Sequence, residues 1–252
     1  MYNKFLRLVT MLMLYEGKSK RVYVKNQEEL LMEFKDEVTA MDGAIKAVVS
    51  GKGVINARLS AYFFEILEKN GVKTHYIDYD GGRVLTVKKL TVLPIEVIVR
   101  NYAYGSLLKR MPLYKPLQKI DPPLVEFHFK DDSLHDPLIL SDDLINTNIV
   151  SRRELEEIVN ISLEVNAILS KTLLSKNLRL IDIKLEFGKD KDGFLVLADE
   201  ISGDTFRVMD ENNNHLDKEI FRKTKDANLL IKAYASLCQK LGVSIDDVTL
   251  HR

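Results

Sequence analysis

The stretch Leu180–Gly188, LIDIKLEFG, constrains the fold of this chain most. Apolar Ile181, Ile183, Leu185 and Phe187 alternate there with Asp182, Lys184 and Glu186. A period of two is the pattern of a β-strand, whose successive side chains point to opposite faces. One face therefore packs on a core, and the other carries an acid, a base and an acid in a row. Two readings of that polar face stay open: a solvated sheet surface with cross-strand ion pairs, and the floor of a site that handles charge.

The next apolar run, FLVLADE, follows a KDKDG turn and ends on Asp199 and Glu200, which makes it the hairpin partner. Pairing Gly188 near Gly193 would set Asp199 opposite Asp182, on the face of Lys184 and Glu186. A slip of one residue would send it to the other face. Converging carboxylates repel one another unless a cation lies among them. Mg²⁺ takes one or two carboxylates together with phosphate oxygens and water. Lys184, between two acids, suits a phosphate or a substrate carboxylate.

The rest of the chain mixes strands and helices without regular alternation. LYEGKSKRVYVK and ELLMEFKDEVTA read as two or three strands, and residues 51–70 as a helix stopping at Gly71. KTHYIDYDGGRVLTVKKL returns to strand around a Gly81-Gly82 turn, and PIEVIVRN is a further strand. YKPLQKIDPPLVEF reads as a proline-punctuated loop entering a strand. Ser151 and Glu154 form a capping-box signature for a helix through Leu174, and a last helix ends at Gly242. This order predicts an α+β fold.

Lys plus Arg and Asp plus Glu both number 37, so the net charge is zero. That argues against nucleic-acid binding through a global positive field but leaves room for a local basic pocket. The single cysteine, Cys238, excludes a disulfide framework within the chain and reads as a small core residue. No stretch approaches the ~20 apolar residues of a membrane helix, and the opening MYNKFLRLVTMLML is interrupted by Arg7. The expectation is a cytoplasmic protein with no membrane partner.

Other charged groups extend the pattern. YEGKSKRVY sets Lys18, Lys20 and Arg21 around a glycine turn, open to a phosphate but equally a basic surface turn. Arg100 ends an apolar strand, placed to grip an anion with its planar fork, and Arg207 follows the Asp199-Glu200 acids. HFKDDSLHDP supplies Lys130, Asp131, His135 and Asp136, with His135 read as a loop residue. Acids for Mg²⁺, lysines for a polyphosphate and arginines for a second anion are together what ATP-dependent activation of an anionic substrate requires.

From about Leu14 to Leu241 the chain resembles the phosphoribosylaminoimidazole-succinocarboxamide synthase (SAICAR synthetase) family of purine biosynthesis. The resemblance rests on LYEGKSKRVY, EVIVRN with YGSLLKR, HDP, IDIKLEFG, LADEIS with DTFR, and LDKEIFR, in the family's order. It implies an extension over residues 1–13, an antiparallel domain over 14–91 and a larger α+β domain over 92–252, with an ATP cleft between the two domains. It also implies a ligase that joins L-aspartate to carboxyaminoimidazole ribonucleotide, converting ATP to ADP and phosphate through an acyl phosphate. Similar proteins are commonly dimers, so a homodimer is the expectation.

By motif position, the resemblance makes Lys18 and Lys20 contacts of the ATP phosphates, and Lys88 and Leu93 part of the adenine-side hinge. Glu186 and Asp199 become Mg²⁺ ligands within the ATP site, with Lys184 near the transferred phosphoryl group. Arg100, Ser106 and Arg207 resemble the grip on the ribonucleotide phosphate. Lys130 and Asp182 match cleft positions expected beside Lys184 in catalysis, and Asp42 and Asp136 match positions expected on the substrate side. Tyr104, Gly203, Met209 and Asp131 depart from the usual pattern without removing a proposed metal or phosphate contact. A small-molecule kinase of related fold and a nucleotide-binding regulator without turnover are the competing readings.

Overall fold

The computed structural model describes residues 11–40 and 45–248, so the expectations for Asp42 and for residues 1–10 lie outside the described residues. The first part of the chain forms β1 (Met13–Glu16), β2 (Lys20–Val24), β3 (Glu29–Phe34), β4 (Glu37–Ala40), β5 (Ile45–Val48), α1 (Lys52–Lys69), β6 (Tyr76–Tyr79) and β7 (Val84–Lys88). Five of these strands build an antiparallel sheet in the order β1-β2-β3-β7-β6, and β4 pairs with β5 as a separate hairpin. Helix α1 buries Ile55, Leu59, Phe63 and Leu67, the spacing that its sequence predicts.

The second part contains β8 (Thr91–Tyr102), α2 (Ser106–Arg110), β9 (Lys119–Phe129), β10 (Leu138–Ile139), α3 (Ser141–Asn146) and α4 (Arg152–Leu174). After these come β11 (Arg179–Lys189), β12 (Leu195–Ala198), β13 (Phe206–Met209), α5 (Glu219–Thr224) and α6 (Ala227–Leu241). Its sheet runs β10-β9-β8-β11-β12, with β13 also on β11. Ser151 caps α4 with the reciprocal Glu154 bond that the sequence signals.

Two features position the site. Strand β11 pairs with β8 along one edge, but its other edge is shared. β12 covers Glu186–Lys189, and β13 covers Arg179–Ile183. The connection from Asp199 to Thr205 leaves the sheet at the gap between them, where Lys184 N–H donates to the Thr205 carbonyl at 2.8 Å. The free edge of β12 is taken by Lys73–His75, through hydrogen bonds of 2.9 and 3.1 Å with Leu197. The two sheets therefore meet at β12, and one apolar cluster runs through both, from Phe34 and Phe64 through Ile183 and Phe187 to Leu237.

The expected loop before Leu124 is a correction: β9 already begins at Lys119 and carries Pro122 and Pro123 within the strand. β10 pairs only with Phe127 and His128, so the proline segment has an open edge where no N–H is needed.

Gly53, at the start of α1, lies so close to β3 that a Cβ would sit 2.5 Å from the Phe34 carbonyl oxygen. The preceding residue, Lys52, is wholly buried and donates to Asp204 at 2.7 Å. Gly53→Ala should push α1 off the sheet and lower stability by about 1–3 kcal/mol. Urea denaturation followed by circular dichroism checks this, and an unchanged midpoint would contradict it.

Candidate active site

The polar face of β11 is not a wet surface: Asp182 and Glu186 are each 4% exposed. Buried charges need partners, and each has them. Glu186 accepts from Lys184 at 2.8 Å and from Lys130. Lys184 also donates to Glu96 on β8 at 2.7 Å, because Glu96 is directly opposite Glu186 in the ladder. From β2, Lys20 reaches across to Asp199 at 2.5 Å and Glu200 at 2.6 Å, joining the two sheets by charge.

The structure decides the register of Asp199, which the sequence left open, against pairing of Gly188 near Gly193. Glu186 pairs with Ala198 and Gly188 with Val196, so residue 199 falls opposite Leu185 rather than Asp182. An extended Asp199 would face away from Lys184. Pairing instead stops at Ala198, and Asp199 takes a left-handed conformation with φ of 63°. Its carboxylate then reaches Lys20 and comes within 4.0 Å of Lys184. Such a backbone is costly for a residue with a Cβ and persists only where neighbours hold it. His75 supplies one such hold, its Nε2–H donating to the Asp199 carbonyl at 3.0 Å. Burial pushes the His75 imidazole down to about 4, so it is neutral near pH 7.

Burial alone would lower the pKa of Lys20 and Lys184. The carboxylates outweigh it: Asp199 and Glu200 around Lys20, and Glu186, Asp199 and Glu96 around Lys184. Both lysines are raised. Burial likewise works against ionised Asp199, but Lys20, Lys184 and Lys130 overcome it and hold the carboxyl below its usual range. Three ammonium groups and four carboxylates thus alternate around one point.

That point is a cavity of about 220 Å³ lined also by Gly17, Lys18, Thr205 and Lys218. It shares Lys20, Lys130, Glu186 and Asp199 with a larger, apolar cavity of about 470 Å³ under Leu14, Val22, Met32, Val87 and Leu93. Lys88 lines the apolar cavity and donates to the Thr74 carbonyl at 2.9 Å. An apolar cavity opening onto fixed cations suits a base joined to a polyphosphate.

Asp182 stands apart from this cluster. Its Oδ2 accepts from Arg100 at 3.2 Å and Arg207 at 2.8 Å, bridging two guanidinium groups. Arg100 is 1% exposed; it also pairs with Glu126 at 2.9 Å and donates to the Ser106 hydroxyl at 3.0 Å. Arg110 contacts the other Glu126 oxygen. Four residues of strand, about 13 Å, separate Asp182 from Glu186, and Arg100, Ser106, Asp182 and Arg207 line neither of the two cavities. Asp136 lines neither cavity; its carboxylate accepts from the Asp131 amide at 2.9 Å and shapes the turn before β10.

Sequence reading passed over Glu96, Glu126, His75 and Lys218. Glu96 and Glu126 interrupt apolar strand runs, the one signal available for them. Burial depresses Lys218 despite the pull of Asp204.

The profile of the SAICAR synthetase family matches residues 13–237. The phosphoribosylaminoimidazole-succinocarboxamide synthase of Caldivirga maquilingensis is 54% identical over 92% of this chain and 96% of its own. That of Pyrobaculum aerophilum is 47% identical, over 90% and 95%. A solved SAICAR synthetase in complex with ADP superposes with a TM-score of 0.87 at 45% identity, over 91% of this chain and 97% of that one. The Ehrlichia chaffeensis enzyme gives 0.87 at 36% identity, over 93% and 100%. A shared fold, a family match over most of the chain and identity across nearly the full length lead to one conclusion: the chain belongs to the SAICAR synthetase family.

Proposed function

We propose that this cleft joins L-aspartate to carboxyaminoimidazole ribonucleotide with conversion of ATP to ADP and phosphate. The observation that carries the reading is the lysine-carboxylate cluster at the mouth of an apolar pocket, with two arginines bridged by Asp182 further along the same strand. The solved relative in complex with ADP supports the nucleotide assignment. The adenine is assigned to the apolar cavity and the triphosphate to Lys18, Lys20 and Lys184.

The donor set fits Mg²⁺. Among the described residues no group of three or more acids, histidines or cysteines forms an all-protein cage. Two carboxylates suffice where triphosphate oxygens complete the shell, and Glu186 and Asp199 line one cavity. When bound, the ion would offset phosphate charge and polarise the transferred phosphoryl group.

A carboxylate resists attack by an amine because its leaving group would be an oxide. In the proposed first step an oxygen of the imidazole carboxylate attacks the γ-phosphorus, the bond to the β-γ bridging oxygen breaks, and ADP leaves. The aspartate amine then attacks the acyl carbon, phosphate departs, and the amine gives up a proton. Lys184, held charged by Glu96 and Glu186, stabilises negative charge on the phosphoryl oxygens. Arg207, anchored by Asp182 and Glu219, faces the ribonucleotide phosphate, with Ser106 and buried Arg100 beside it.

Coupled ADP release tests the reaction: turnover should need ATP, Mg²⁺, aspartate and the ribonucleotide together. Release that ignores aspartate would favour a kinase, and binding without release a regulator. Glu186→Gln and Asp199→Asn should keep the fold and cut kcat at least ~10²-fold. Near-normal rates at saturating Mg²⁺ would make both acids structural.

The arginine end carries a pH signature. Burial would raise the Glu126 carboxyl, but His128 at 3.5 Å, the hydrogen bond from Arg100 and the nearby Arg110 charge outweigh it and hold it at about 2. A depressed carboxylate contributes stability above its unfolded value of 4.5, and that contribution fades as pH falls toward 2. Glu126→Gln should therefore be clearly less stable than wild type at about pH 6, with the gap narrowing by about pH 3. Urea midpoints at the two pH values check the sign, and a gap that widens on acidification would refute it.

A further inference from the structure

Tyr104 lies between the end of β8 and Gly105, and the proposed chemistry gives it no role. Its hydroxyl is 2.8 Å from His215 Nε2, and His215 Nδ1 is 3.0 Å from Asp217 Oδ2. Asp217 is wholly buried and accepts from the Val208 and Glu219 amides at 2.9 and 2.7 Å. The two ring nitrogens of His215 thus bridge the Tyr104 hydroxyl and the Asp217 carboxylate. The ring also meets the imidazole edge to face, centroids 5.1 Å apart. The tyrosine is locked in one orientation from behind.

Two cations approach this fixed ring. Arg207 Cζ is 5.4 Å and Lys223 Nζ 5.3 Å from its centroid, both within cation–π reach. Arg207 spends Nη1 on Asp182 and Nε on Glu219; Nη2 takes part in neither bond. Gly105, with φ of 60°, leaves space for that nitrogen, because a Cβ would sit 2.9 Å from it. Lys223 is exposed and, among the described residues, pairs with no acid. Two cations share one aromatic ring, and one of them has no acidic partner among the described residues.

We propose that Tyr104 is a positioning residue that holds Arg207 and Lys223 side by side as a two-cation grip for the phosphate of the ribonucleotide, with Lys223 a direct contact. The inference rests on the reading of this end of the cleft as the phosphate end. The negative face of the ring offsets repulsion between the cations, and a phosphate dianion completes the balance when it binds. The hydroxyl bond to His215 sets the angle of the ring, so the aromatic surface and its lock make separable contributions.

The test compares wild type, Tyr104→Phe, Tyr104→Leu and Lys223→Met in the full-length enzyme. Losing the ring should raise KM for the ribonucleotide about tenfold and losing only the hydroxyl about threefold, while KM for ATP stays unchanged. Lys223→Met, at an exposed position, should raise the same KM without affecting the fold. Tyr104→Leu with Lys223→Met should be less severe than the product of the single effects, since the two act as a unit. The deciding readout uses 5-aminoimidazole-4-carboxamide ribonucleotide as a competitive inhibitor, with and without its 5′-phosphate. Each variant should weaken the phosphorylated form and leave the dephosphorylated form unchanged. Equal weakening of both forms, or wild-type discrimination retained in Tyr104→Leu and Lys223→Met, would overturn the inference alone. A wild-type enzyme indifferent to the 5′-phosphate would overturn the reading of this end, and the inference with it.

Discussion

Strand β11 carries ionised side chains into the interior, and the molecule around it is arranged so that none of them lacks an opposite charge. Removing one partner from a buried pair typically costs about 3–5 kcal/mol, because the other charge is left without solvent or counter-charge. Glu186, Lys184 and Asp182 are therefore tolerable only with Lys130, Glu96, Arg100 and Arg207 in place. Lys20 extends the same requirement to the first sheet, since its ammonium sits among carboxylates that belong to the second. The relative placement of the two sheets and the charge pattern of the cleft follow from one set of pairs.

The cluster is also poised for exchange. Its lysines and carboxylates neutralise one another, and under the proposed function a metal–triphosphate would take over those pairings. On the proposed reading, phosphate oxygens would replace carboxylates as partners of Lys20 and Lys184, and the freed carboxylates would be available to a cation. The site is thus built in advance, which limits the reorganisation that binding demands. The gap between β12 and β13 makes room for it, because only there does β11 lack a neighbouring strand on that edge.

Local rules were legible wherever they acted alone. The capping box at Ser151, the apolar stripe of α1 and the Gly242 terminus of α6 all appear where the sequence places them, since each depends on residues within a few positions. The prolines of β9 misled for the opposite reason: a proline forbids a strand only where its N–H would be needed, and the short reach of β10 decides that. Asp199 shows the same limit inside the site. The sequence left the register open, and the pairing that would bring Asp199 beside Lys184 by alternation is not the one the hairpin adopts. The convergence arises instead from one left-handed residue that His75, 124 positions away, helps to hold.

By itself the sequence determined the chemistry on offer: an alternating strand with acids and a lysine on one face, basic residues in a glycine turn, and arginines at strand ends. Those are properties of residue type and spacing, and the period of a strand carries them without reference to anything distant. Only the tertiary structure decided which charges meet. It sent Asp182 to the two arginines, left Glu186 and Asp199 to the lysines, and set Tyr104 against His215, 111 positions along the chain. Coulomb and hydrogen-bond partners are chosen by distance in space, and that distance is set by strand pairings between remote segments.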